Sequence, residues 1–175
     1  MKGYEDSHFP KCPGVKVEES VYLYPGDYHF ATKPTMIHTV LGSCVSVILF
    51  ERIHQYGAMC HAVLDSDPNK TKNAECFKYM DCVMAEMLKR FTERGISIQS
   101  IEAKIFGGAQ MLSSGKASAK TSQPGTKNIF MARKILKEYN CDIIAEDSGG
   151  FQGRKIYFCS HTGDVFLKRI NKPVS

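Results

Sequence analysis

The chain has 175 residues, of which 43% are hydrophobic and 23% are charged, and these are the proportions of an ordinary globular protein. They exclude a disordered tail, a collagen-like fibre and a charged coiled coil. The formal net charge of +5 is small and the basic residues are scattered, so no nucleic-acid partner is expected. The length suits one domain. We predict a loose N-terminal lead-in at residues 1–16 and a single domain at residues 17–175.

The first third of the chain consists of short apolar runs separated by turn residues. β-branched and apolar residues between glycines, prolines and aspartates are typical of strands. The pattern predicts strands at residues 17–24, 35–41, 45–50 and 57–64. We expect these strands to belong to one sheet.

Apolar residues then recur at three- and four-residue spacing, which predicts a helix over residues 73–94. A strand at residues 98–106 follows, and then a surface loop at residues 113–127. The remainder predicts a second helix at 127–139, a strand at 141–145, a turn at 146–150, and a hairpin of strands 154–160 and 164–170 around Thr162-Gly163. The fold class is therefore α+β, with two main helices packed on a mixed sheet.

Seven cysteines are present, an odd number with no Cys-x-x-Cys pair. Cys76 and Cys82 stand six apart on the predicted helix, so we expect them to point in different directions. No His-x-x-x-His pair accompanies them, and we predict neither a metal nor a cofactor. The sequence shows no apolar leader and no run long enough to cross a bilayer. A reduced, cytoplasmic protein without direct membrane insertion is the expectation, with most cysteines acting as small buried apolar groups.

A cysteine at a sharp bend is the feature that points to chemistry. Leu41 ends a predicted strand, Gly42 and Ser43 form a turn, and Cys44 begins the next strand. Small residues let a substrate carbonyl approach, and successive backbone N–H groups of a turn can face one oxyanion. The bend therefore suits a nucleophilic thiol.

A nucleophilic thiol needs a base, and His61 is the candidate. It stands in an otherwise apolar strand. If strands 45–50 and 57–64 pair across residues 51–56, then His61 lies near Cys44. From the pattern alone, a buried structural cysteine and a hydrogen-bonded core histidine are favoured over a catalytic pair.

Several segments resemble the CheD family of chemoreceptor glutamine deamidases. The first is Thr-Val-Leu-Gly-Ser-Cys-Val-Ser-Val at residues 39–47, and the second is Gly-Ala-Met-Cys-His-Ala-Val-Leu at residues 57–64. A Gly-Gly-Ala strand end, a Gly-x-Lys-Asn segment, a Gly-Gly-x-x-Gly-Arg-Lys block and a Thr-Gly hairpin follow in the family's order, at residues 104–109, 125–128, 147–155 and 162–165. The resemblance spans residues 18–170.

The resemblance implies a three-layer α/β sandwich similar to the catalytic domain of deamidating cytotoxic necrotizing toxins. It implies an enzyme that converts glutamine to glutamate on the cytoplasmic helices of methyl-accepting chemotaxis receptors, and in some members also hydrolyses receptor methyl esters. Cys44 is then the nucleophile, His61 the base, and the backbone N–H groups of Ser43 and Cys44 the oxyanion donors.

The third member of the implied triad lies five or six residues before the cysteine, at Thr39 or His38. Adjacent strand residues face opposite sides, so only one of the two can face His61, and we predict Thr39. The sequence departs from the family pattern at Asp65, where proline is frequent, and at Lys127, where arginine is usual. The first change suggests an altered loop, and the second removes any contact that requires a guanidinium.

Two other functions are consistent with the sequence. Family members bind a CheC-type phosphatase, so the chain could act mainly as a binding module with slow deamidation. A general cysteine hydrolase of small amides is the third hypothesis. Mass analysis of treated receptor separates the three.

Overall fold

The computed structural model describes residues 10–70, 73–110 and 124–170. Within those residues the chain forms nine strands and two α-helices, which confirms the α+β class. In chain order they are β1 (Glu19–Tyr22), β2 (Tyr28–Ala31), β3 (Thr35–Leu41), β4 (Val45–Glu51), β5 (Tyr56–Cys60), α1 (Met80–Thr92), β6 (Ile101–Gly107), α2 (Pro124–Glu138), β7 (Asp142–Ser148), β8 (Gly153–Cys159) and β9 (Val165–Ile170).

The strands form two sheets, so the expectation of a single sheet was wrong. One sheet has the order β1-β3-β8-β9 and the other β2-β5-β4-β6-β7. Each contains one parallel pair, β1 with β3 and β6 with β7, and the remaining pairs are antiparallel. The alternation of side chains reveals which faces of a strand are buried, but it does not reveal which strands share a sheet.

The molecule has three layers, with the five-stranded sheet in the middle. Strand β4 is buried along its whole length because it is covered on both faces. Val45, Val47 and Leu49 pack against α1 and α2. Ile48 and Phe50 pack on the other side, against the inner face of the four-stranded sheet. The space between the two sheets is where the candidate site lies.

The helix predicted at 73–94 is interrupted at Tyr79. A 3-10 helix at Ala74–Lys78 precedes Tyr79, whose backbone is extended (φ −97°, ψ 134°), and α1 begins only after it. The two helical segments therefore have different axes. This break brings Cys76 and Cys82 together as a disulfide, with their Cα atoms 5.8 Å apart. The expectation that these two side chains point apart was wrong, because it assumed one continuous helix.

A second disulfide joins Cys12 to Cys159, across 147 residues of sequence. Four cysteines in the described residues are therefore paired, where we had expected small apolar groups. Cys12, Val15 and Val17 pack on the outer face of the four-stranded sheet. The proposed boundary at residue 16 stays a prediction, and residues 1–9 lie outside the described part of the chain.

Other boundaries moved by a few residues. The strand predicted at 17–24 is shorter, and β2 was missed. The helix predicted from residue 127 begins at Pro124, a residue type that fits the first turn of a helix. Strand β7 continues to Ser148, through the first part of the predicted turn, because it pairs with β6 up to Gly107. Residues 113–123 of the loop predicted at 113–127 lie outside the described residues, and residues 124–127 belong to α2. No helix in the described segments is long and apolar enough to cross a bilayer.

Candidate active site

The turn at residues 42–44 is where the chain passes from one sheet to the other. It follows β3 of the four-stranded sheet and leads directly into β4 of the five-stranded sheet. Two backbone hydrogen bonds fix it from the end of β6. Gly108 N donates to Cys44 O, and Ala109 N donates to Gly42 O, each at 2.8 Å. The turn is therefore held by its carbonyl oxygens.

Glycine is required on the β6 side of this contact. Gly107 has φ +102°, and a Cβ atom there would lie 2.3 Å from Cys44 O. Gly108 has φ +69°, and its Cβ would lie 2.5 Å from the Ile129 side chain. Both positions thus combine a left-handed backbone with a close approach, which only glycine tolerates. The Gly-Gly-Ala segment serves to bring β6 and α2 up against the cysteine turn.

His61 reaches the same place from the neighbouring strand. Val45 and Ala62 exchange two backbone hydrogen bonds, of 3.0 and 2.9 Å, which extends the antiparallel pairing of β4 with β5. This register places His61 opposite Ser46 and diagonal to Cys44, on the face that looks into the space between the sheets. The pairing predicted across residues 51–56 is confirmed, and its register puts Cys44 and His61 on the same face of the two strands.

Thr39 completes a hydrogen-bonded cluster from the facing sheet. Its side chain is fully buried, and its Oγ1 lies 2.8 Å from His61 Nδ1. The same hydroxyl donates to Leu23 O at 2.7 Å. Since a hydroxyl has one proton and Leu23 O can only accept, Oγ1 must accept from Nδ1–H. His61 is thereby held in the tautomer that has a free lone pair on Nε2.

His38 lies on the opposite face of β3. Its ring stands 5.2 Å from that of Tyr22 and is stacked 5.7 Å from that of Tyr157, on the outer side of the four-stranded sheet. The structure therefore brings Thr39, not His38, to His61.

Backbone contacts from the turn before β2 fix the His61 main chain. Gly26 N donates to His61 O at 2.8 Å, and His61 N donates to Asp27 O at 2.9 Å. Sequence reasoning ended the first strand at residue 24, and it missed both these backbone contacts and the role of Leu23. It included Asn128 only as part of the Gly-x-Lys-Asn segment and gave it no role, whereas this residue is fully buried and donates from Nδ2 to Val63 O at 2.8 Å.

Burial acts on both titratable groups so as to favour their neutral forms. It raises the pKa of the Cys44 thiol, against a smaller opposing effect of the Cys44 backbone N–H. It lowers the pKa of His61, against opposing effects of Leu23 O and the Asp27 carboxylate. At neutral pH the site therefore contains a protonated Cys44 thiol and a neutral His61 imidazole. Burial also raises the pKa of the other two free thiols, that of Cys60 to about 12 and that of Cys141 to about 11.

Together, the fold and the cluster define an α+β domain of three layers with a thiol, an imidazole and a hydroxyl between its sheets. A family profile described as CheD chemotactic sensory transduction matches residues 64–169. The chain is 43% identical over 163 residues to the probable chemoreceptor glutamine deamidase CheD 2 of Geobacter sulfurreducens, covering 93% of this chain and 94% of that protein. It belongs to the CheD family, which confirms the resemblance seen in the motifs.

Relatives in other lineages match over a similar extent. The probable chemoreceptor glutamine deamidase CheD of Maridesulfovibrio salexigens is 35% identical over 158 residues, covering 87% of this chain and 92% of that protein. The protein of the same name from Thermococcus kodakarensis is 35% identical over 147 residues, covering 83% and 90%. Both matches extend over most of the domain, well beyond any single motif.

Proposed function

We propose that this protein hydrolyses glutamine side-chain amides on methyl-accepting chemotaxis receptors, with Cys44 as nucleophile and His61 as base. The names of its relatives support the substrate. The observation that carries the chemistry is the 2.8 Å contact between Thr39 Oγ1 and His61 Nδ1, on the face that His61 shares with Cys44. A hydroxyl, an imidazole and a thiol in this order are the parts of a nucleophilic triad.

The reaction begins with a proton transfer. His61 Nε2 takes the proton of Cys44 Sγ as the sulfur attacks the amide carbon of the glutamine, and the imidazolium then gives that proton to the departing ammonia. Water next attacks the resulting thioester while Nε2 takes its proton. The C–S bond breaks, the sulfur regains the proton, and glutamate is released. Thr39 holds the imidazole in the required tautomer throughout.

The backbone N–H groups of Ser43 and Cys44 are the proposed oxyanion donors. In a trans peptide the C=O and N–H groups point in opposite directions. Because Gly42 O faces Ala109 N, the N–H group of Ser43 faces away from that contact. A preformed donor of this kind stabilises the transition state by about 3–4 kcal/mol.

Intact-mass analysis of purified receptor cytoplasmic domains tests the proposal. Incubation with the protein should add one dalton for each converted glutamine, and peptide mapping should place the change on few, defined residues. A receptor whose mass does not change would contradict the proposed function.

The same thioester accounts for a proposed methylesterase activity. A glutamyl methyl ester and a glutamine give the same acyl-enzyme, and only the leaving group differs, methanol in place of ammonia. Action on receptor cytoplasmic helices also implies a cytoplasmic location. The proposed likeness to the toxin deamidases concerns the three-layer arrangement of the domain.

The alternative proposals predict other results in the same assay. Tight binding of a CheC-type phosphatase with no change in receptor mass would favour a binding module. Turnover of small free amides without receptor would favour a general cysteine hydrolase.

Thr39→Val should lower kcat by about tenfold, because one hydrogen bond to the base is lost in a nearly isosteric change. KM for the receptor should change little, since Thr39 lies in the buried layer between the sheets. Steady-state kinetics on a receptor domain measures both quantities.

His38→Ala is the matched control, because it changes the adjacent residue on the other face of β3. Its kcat should stay within about twofold of the wild-type value, as for a side chain that does not contact the base. Loss of turnover in His38→Ala, together with full activity in Thr39→Val, would transfer the third position of the triad to His38.

A further inference from the structure

A glycine loop after β7 lies directly behind the strand end that holds the cysteine turn. Gly149 N donates to Gly107 O at 2.8 Å, and Gln110 N donates to Gly150 O at 2.7 Å. Gly107 and the two residues after it are the ones that close on Gly42 and Cys44. The end of β6 thus lies between the glycine loop and the cysteine turn, and it is joined to each of them by backbone hydrogen bonds.

A buried arginine fixes the shape of this loop. Arg154 is only 4% exposed, and its guanidinium reaches three groups around the loop. Nε donates to the Asp147 carboxylate at 2.8 Å, one terminal nitrogen donates to Gln152 O at 3.0 Å, and the other donates to Gly149 O at 2.8 Å. A planar fork with fixed donor directions can serve all three acceptors at once, and a lysine ammonium on a flexible stem cannot.

The backbone of Arg154 is tied to the same region from the other side. In the pairing of β3 with β8, Arg154 stands opposite Leu41, the last residue before the turn. The main chain of Arg154 therefore pairs with Leu41, just before the turn. Its side chain holds the glycine loop, on the other side of the end of β6.

We propose that Arg154 is a positioning residue for deamidation, which acts by holding the 149–152 loop against the end of β6 and thereby fixing the turn that carries Cys44. The inference rests on the proposed function and adds a residue to it. Arg154 does not touch the reacting atoms. Its effect is on the directions of the Ser43 and Cys44 amides, on which oxyanion stabilisation depends.

Kinetics of Arg154→Lys test this role, with Arg169→Lys as the matched control. Arg169 pairs with the same Asp147 but is more than half exposed. A displacement of the turn by a fraction of an ångström should lower kcat of Arg154→Lys by about tenfold to a hundredfold, with KM within about threefold. Alkylation of Cys44 by iodoacetamide needs the thiolate but no oxyanion donors, so its rate should stay within about threefold. Arg169→Lys should match wild type in all three measurements.

A second pair of variants covers the case in which Arg154→Lys does not fold. Gly150→Ala strains the loop backbone directly, since Gly150 has φ +69° and open space around the position of a Cβ. Gly95→Ala imposes the same strain at φ +75°, also in open space, beyond the end of α1. Gly150→Ala should reproduce the fall in kcat with KM and alkylation unchanged, and Gly95→Ala should not.

Amide hydrogen exchange gives a readout that does not depend on activity. Exchange at Gly108, Ala109 and Gln110 should accelerate in Arg154→Lys and Gly150→Ala and stay unchanged in the two controls. Unchanged exchange at these amides in Arg154→Lys and Gly150→Ala would overturn the inference, whatever the activity of the protein. Failure of the wild-type protein to deamidate receptor is a separate result, and it would contradict the proposed function. Wild-type kcat in a folded Arg154→Lys, or an equal fall in kcat and alkylation rate, would also overturn it.

Discussion

Replacement of Cys44 by alanine should reduce glutamine deamidation to below about one-thousandth of the wild-type rate, as is usual when a nucleophile is removed. The fold should be retained. Cys44 is only partly buried, and the hydrogen bond that it makes to Gly108 uses its backbone carbonyl, which alanine keeps. Receptor mass analysis measures the first effect, and thermal unfolding measures the second.

Cys141→Ala is the control for loss of a thiol. Cys141 is buried, its Sγ donates to Ile101 O at 3.3 Å, and its raised pKa keeps it protonated at neutral pH. This variant should lose stability, by about 1–3 kcal/mol, and keep its turnover. If Cys44→Ala deamidated receptor glutamines at a rate near that of wild type, the nucleophile would have to be sought elsewhere.

His61→Gln should reduce turnover nearly as far, and it should also change the pH dependence. A general base acts only when deprotonated, so wild-type activity should fall as the pH drops through the lowered pKa of His61 and stay high above it. Without the imidazole, the residual rate should increase only toward the raised pKa of Cys44. The acid limb of the profile should therefore move in the variant from the lowered pKa of His61 to the raised pKa of Cys44.

Alkylation of Cys44 measures the same effect without a receptor. At pH 7 the iodoacetamide rate should be about tenfold lower in His61→Gln than in wild type, because burial raises the pKa of the Cys44 thiol and leaves it protonated at that pH when no base assists. The two rates should converge at alkaline pH. Equal rates at pH 7 would remove His61 from the role of base.

The local part of the candidate site could be predicted from the sequence. Two apolar strands separated by six residues pair as a hairpin, and their register alone brings His61 toward Cys44. Strand alternation alone also separates His38 from Thr39. Which of the two faces His61 was chosen from the resemblance and the chemistry, and the contact at 2.8 Å agrees with that choice.

The parts that could not be predicted depend on partners far away in the sequence. Strand β2 is four residues long with no clear alternation, and it is a strand because it pairs with β5. The helix break at Tyr79 is stabilised by Leu64, whose carbonyl accepts from Met80 N. The hydrogen bonds from Arg154 to the 149–152 loop and the disulfide across 147 residues produce no local pattern in the sequence. Propensity cannot report on contacts that exist only after the layers have assembled.

The turn between the sheets also restricts insertions and deletions in this part of the sequence. Only three residues, 42–44, separate the end of β3 from the start of β4. Thr39 stands on the inner face of one strand and Cys44 on the inner face of the next, and side chains alternate with a period of two. Insertion or deletion of one codon here would turn one of the two side chains away from His61, even if every other residue were unchanged. Length variation should therefore be excluded from this turn and accumulate at exposed connections such as residues 52–55, where no site residue depends on the count.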